Sequence, residues 1–171
     1  LRVAIDDLAT LMAPSRVVIC EGKPAAGFAN ERSAFDASCY RRIFGEEFPD
    51  TEFMSAGNAS DVERDRLALK AAIETLVQGI RIVRLVDRDD RTPQEIKDLR
   101  DQGVRALSRR TIESYLPDDE PIRALCAGKA VCEADVLGAR DQAVAESVLR
   151  NNPVDDLKSA AGTFYTAARR L

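Results

Sequence analysis

Asp87 and Asp89 stand two residues apart at the end of the run R-I-V-R-L-V-D-R-D-D, from Arg81 to Asp90. In extended backbone, side chains two apart lean to the same side, so these carboxylates are neighbours. Two such anions repel unless a cation shares them, and a hard divalent ion such as Mg²⁺ suits oxygen ligands. Glu21 is the second candidate, followed at once by Gly22, where the missing Cβ lets backbone approach a ligand closely. The third group is Ser108-Arg109-Arg110-Thr111-Ile112-Glu113, which sets two guanidinium groups beside an acid. Carboxylates converging on one edge are what a one- or two-metal phosphoryl-transfer site requires. Arginines or lysines beside them can hold a phosphate.

Each group also has a plainer explanation. An acid after a strand is commonly a solvated turn residue or an N-cap, which covers Glu21 or Asp90 taken singly. Glu113 equally suits an ion pair with Arg109 or Arg110. The pairing of Asp87 with Asp89 is harder to dismiss. Arg81, Arg84 and Arg88 fit a wet strand face, and Asp61, Glu63, Arg64, Asp65 and Arg66 fit a solvated helix face.

Composition narrows the chemistry. The 171 residues are 45% hydrophobic and 32% charged, an ordinary globular balance with room for one domain and a helical appendage. Histidine is absent, which removes imidazole bases, Ser-His-Asp triads and His-containing metal sites. A formal charge of −4 supplies no global attraction for nucleic acid, so a phosphate binder needs a local patch or metal ions. Cys20, Cys39, Cys126 and Cys132 form no C-x-x-C pair, and Cys20 and Cys39 read as buried reduced thiols. With no signal peptide and no apolar run long enough to span a bilayer, a cytoplasmic location is expected. The chain opens at Leu1 in a helical pattern, as a piece of a longer protein would.

Four strands must position these groups. Arg16–Cys20 (R-V-V-I-C), Thr51–Ser55, the Arg81 run and Val104–Leu107 are short and apolar. Between them lie helical patterns. One runs from a Ser33 cap to Phe44. The next is capped by Ser60 with Glu63 three residues on, carries Leu67 to Val77 and ends at Gly79. The third is capped by Thr92 with Pro93 and Glu95 behind it. The alternation β-α-β-α-β-α-β argues for a parallel sheet, and parallel strands end on one edge. Glu21, Asp87 and the Arg109–Glu113 group therefore all fall at that edge. Before the first strand, Leu1–Met12 has helical spacing. After Pro117 the chain reads as three helices, Glu120–Cys126, Glu133–Arg150 and Val154–Arg170, with Asn151-Asn152-Pro153 as the break.

The segments V-V-I-C-E-G at 17–22, L-V-D-R-D-D at 85–90 and R-R-T-I-E-S-Y-L at 109–116 together resemble a TOPRIM domain, and more narrowly that of the OLD-family (overcoming lysogenization defect) ATP-dependent nucleases and related bacterial anti-phage ATPases. The resemblance covers about Arg16 to Leu116. It implies an α/β TOPRIM (Rossmann-like) fold with a four-stranded parallel sheet at 16–117, an N-terminal helix at 1–15 and a helical C-terminal extension at 118–171. It also implies Mg²⁺- or Mn²⁺-dependent cleavage of phosphodiesters, with Glu21, Asp87 and Asp89 as ligands. Asp36 matches the family's further acid at the start of the first helix, although Pro24 to Ser33 intervenes here. Asp90 or Glu113 would complete the coordination, and Lys23, Arg109 and Arg110 would meet phosphate. Ser55-Ala56-Gly57 resembles the small-residue loop after the second strand, without a second adjacent glycine. The implied partners are nucleic acid, DNA before RNA, and an ATPase domain in the same or another chain, since no Walker A motif is present. A homodimer is compatible with this and a membrane is not. No tyrosine is placed as a topoisomerase nucleophile, since Tyr40, Tyr115 and Tyr165 fit packing positions. Two rivals remain: a regulatory or docking domain that kept the fold without the chemistry, and a receiver-like domain. The single Glu21 and the missing fifth strand speak against the receiver.

Overall fold

In the computed structural model, which describes residues 13–22, 35–65, 68–127 and 132–170, the chain forms two compact units. One comprises the described residues of Leu1–Val86 with Arg91–Ala106; the other comprises those of Asp87–Asp90 with Leu107–Leu171. The helical pattern expected over Leu1–Met12, the Ser33 cap, Leu67 and Lys23 lie outside the described residues.

The first unit is α/β. Its strands are β1 (Arg16–Cys20), β2 (Thr51–Ser55), β3 (Arg81–Val86) and β4 (Val104–Ala106), and its helices are α1 (Phe35–Phe44), α2 (Ala59–Glu63), α3 (Leu69–Leu76) and α4 (Pro93–Asp101). All strands are parallel, in the order β2-β1-β3-β4, with Cys20 opposite Ser55 on one side and Leu85 on the other. β1 is fully flanked, which is why its Val17 to Cys20 are all buried. Alternation then divides the sheet faces. Val17 and Ile19 join Val62, Val86, Leu99 and Val104 in the core under α2, α3 and α4. On the other face Phe53 stacks with Tyr40 and Phe44 of α1, with ring centroids 5.9 and 6.4 Å away.

Where a cap motif is unambiguous, the helix starts as read from sequence. Thr92 caps α4 with Pro93 and Glu95 behind it, and Glu95 bonds back to the Thr92 amide at 2.7 Å. That bond holds the Glu95 carboxyl below its ordinary range. The single helix expected from Ser60 to Gly79 is instead two. Asn58, not Ser60, is the cap, with Asp61 as the reciprocal partner at 3.0 Å. The chain then breaks, with Asp65 and Ala68 in left-handed backbone, before α3 restarts. Asn58-x-x-Asp61 and Ser60-x-x-Glu63 satisfy the same pattern, and asparagine suits the cap at least as well. The supposedly solvated faces are corrected too. Glu63 takes an ion pair from Arg91 at 2.6 Å, and Arg84 donates to the carbonyls of Glu63 and Gln102. Arg84 thus ties β3 to the ends of α2 and α4.

The second unit is helical. A 3₁₀ turn (Ile112–Tyr115) leads into α5 (Asp119–Cys126), α6 (Glu133–Leu149) and α7 (Lys158–Arg170). Ile122, Val136, Ala143, Ala161 and Phe164 form its core. The last helix begins four residues later than Val154, because 151–157 is built as turns. Asn151 is left-handed, and the buried Ser147 hydroxyl accepts from Asn152 at 3.0 Å. Among the described residues no helix is long and apolar enough to cross a membrane.

Candidate functional site

The strand order changes direction between β1 and β3: the chain leaves β1 for one side of the sheet and returns to the other. Open α/β sheets bind ligands at the carboxyl ends of their strands at such a switch point. Glu21 follows β1 directly and Asp87 follows β3 directly.

In the first unit, the end of β1 is shaped by backbone. Gly22 and Gly57 exchange both amide bonds, at 2.7 and 2.6 Å, as an isolated antiparallel bridge. Gly22 has φ +120°, and a Cβ there would stand 2.9 Å from Ser55 Oγ and 3.3 Å from Asp36 Oδ2. Asp36 is therefore carried by the first turn of α1 to the ends of β1 and β2, beside the residue that follows Glu21. Gly57, at φ +98°, leaves space for Asp61, whose Oδ2 would lie 2.5 Å from an added Cβ. Burial pushes the Cys20 thiol up to about 12, and the charges of Asp36 and Glu21 act in the same direction. That thiol bonds to the Met54 carbonyl, so it is a packing group and not a nucleophile. Ser55 Oγ is buried with no hydrogen-bond partner among the described residues.

In the second unit, the acid loop is held by side chains. Asp89, at φ +47°, donates its amide to the Arg110 carbonyl at 3.0 Å. Arg110 donates to Asp90 at 2.7 Å and to Asp155 at 3.3 Å, and Arg88 is ion-paired with the same Asp155. The Arg110 bond holds the Asp90 carboxyl below its ordinary range, and Arg110 is itself driven further toward its charged form. Arg109 pairs with Asp118 at 2.7 Å, which raises its pKa, and lies 4.7 Å over the Tyr115 ring. Tyr115, in the 3₁₀ turn, accepts from the Arg109 amide and shares a bond with Ser108. Glu113 meets Lys158 at 3.5 Å, not Arg109 or Arg110.

The structure thus brings Asp36 beside the residue that follows Glu21, ties Asp89 and Asp90 to Arg110, and ties Arg88 to Asp155. Asp155 had no signal in the sequence beyond being one acid of D-D in a loop. The donor set is wholly carboxylate oxygen, which suits a hard divalent cation. Among the described residues, no three His, Cys, Asp or Glu side chains converge closely enough to hold one. A concavity of about 680 Å³ lies elsewhere, along the sheet face covered by α1, between Val18, Tyr40, Phe53 and Val83, and no candidate acid lines it. None of the four cysteines is in a disulfide; Cys20 is buried, Cys39 half-buried and Cys132 exposed. No protein-family model, curated protein or solved structure matches the chain.

Proposed function

We propose that this chain is a metal-dependent phosphodiesterase module, a nuclease acting on DNA or RNA, of the TOPRIM type found in OLD-like ATPase-nucleases of anti-phage defence. One observation carries this: Glu21 and Asp87 leave two adjacent parallel strands at the switch point of a four-stranded sheet. Glu21, Asp87 and Asp89 would hold Mg²⁺ or Mn²⁺, with Asp36 as a further ligand and Asp90 or Glu113 at the periphery. Bound there, the ion would neutralise phosphate and activate water. Gly22 lets Ser55 and Asp36 close in on the first strand end, and Lys23, a candidate for phosphate contact, follows it in sequence. Arg109 and Arg110 already bind Asp118, Asp90 and Asp155, so reaching a phosphate means exchanging one anion for another. A DNA strand and an ATPase domain would be the partners.

A second reading, a docking domain that kept the fold without the chemistry, draws on the lack of three converged acids among the described residues. The two separate in a cleavage assay on plasmid and structured RNA with Mn²⁺, Mg²⁺ or EDTA. Metal-dependent cutting that drops by about a thousandfold in Asp87→Ala is expected of a lost metal ligand. A folded protein that neither cuts nor binds Mn²⁺ by calorimetry would leave the docking domain.

A further inference from the structure

We propose that Asp155, in the turn between α6 and α7, is the positioning residue of the Asp87–Asp90 loop; its consequence for metal binding rests on reading that loop as a metal-holding element. The loop needs an external template. Asp89 is in left-handed backbone, which aspartate enters more readily than most residues but which a loop holds uniquely only when its neighbours fix it. Its amide is bonded to the carbonyl of Arg110, so where Arg110 sits decides where Asp89 sits. Arg110 is in turn fixed by Asp155, and so is Arg88, the residue between the two acids of the D-x-D. One carboxylate thus holds the loop through two guanidinium groups, 45 and 67 residues away in sequence.

Asp155 can serve as an anchor because its own backbone is pinned. The buried Ser114 hydroxyl donates to its carbonyl at 3.0 Å, and the next residue's carbonyl accepts from the buried Ser147 at 3.4 Å. Asp156 also donates its amide back to Pro153 at 2.9 Å. The anchor draws Arg88 and Arg110 into ion pairs with one carboxylate, and Arg110 also pairs with Asp90. With Asp155 gone, two cations would be released next to the D-x-D carboxylates and would compete there with a divalent ion.

The test uses the full chain. In Asp155→Ala, the Asp89 amide should exchange with deuterium roughly tenfold faster, while amides of α5, α6 and α7 keep their rates. Mn²⁺ affinity measured by calorimetry should fall about tenfold, and Asp155→Asn, which keeps one acceptor, should recover part of both. Unchanged Asp89 exchange in a folded Asp155→Ala overturns the proposal. If that variant loses protection throughout the helices, Arg88→Met with Arg110→Met decides: no faster exchange at Asp89 is equally fatal. Faster Asp89 exchange in a protein whose wild type binds no Mn²⁺ would uphold the anchor and sink the metal site instead.

Discussion

The two acid-bearing strand ends are built from different materials. After β1, Glu21 is placed by backbone: a buried strand, the Gly22–Gly57 bridge and a helix that carries Asp36 to the same spot. After β3, Asp87 to Asp90 are placed by guanidinium groups reaching for Asp90 and Asp155. The first arrangement depends on shape and main-chain hydrogen bonds, which salt and pH barely touch. The second depends on charge in a partly wet setting, where solvent and ions weaken each pair.

The sharpest way to break this contrast is at Gly22. Gly22→Val forces a side chain onto φ +120° and against Ser55 Oγ at 2.9 Å. Strain and overpacking together predict a loss of about 2–5 kcal/mol in urea unfolding, independent of salt. A loss under 1 kcal/mol would mean that the bridge yields easily. At the other strand end, Arg110→Ala should cost about 1–2 kcal/mol in low salt and visibly less in about 1 M salt. Asp90 shows the matching pH dependence. Its folded carboxyl titrates below the ordinary value of 3.8, so its contribution is complete above about pH 4 and fades as pH falls further. Arg110→Ala should flatten that acid limb, and an identical limb in wild type and variant would rule the pair out as its source. The smallest change is Ser55→Ala. Because Ser55 Oγ is buried with no oxygen or nitrogen partner among the described residues and only the weakly polar Cys20 thiol beside it, its removal should leave stability unchanged or raise it by up to about 1 kcal/mol. A clear loss would reveal a hidden hydrogen bond at this strand end.

The same division explains what could be read from the amino-acid order. A strand such as Arg16–Cys20 announces itself because burial and β-branching act together along a five-residue run. The Thr92 cap is equally local. The acids at the ends of β1 and β3 were legible for that reason, as residues next to readable strands. The α2–α3 break was not, since its Asn58 and Ser60 alternatives differ only in which one the backbone chooses. Nor were the Arg84 and Arg91 bonds, or the placement of Arg110, because each joins residues 18 to 45 apart, a range at which no periodicity signals contact. Arg84 and Arg88 read as a wet strand face for want of partners that only the fold supplies.

The distance along the chain from Arg88 to Asp155 has a consequence for synthesis. A ribosome delivers residues in order, and domains generally fold as their sequence emerges. The sheet that carries Glu21 is complete once Ala106 is out, but the residue that shapes the acid loop follows 49 positions later. During that interval the nascent protein has a formed sheet and an unshaped loop. The charged contacts that shape this loop form only after the turn before the last helix has been translated.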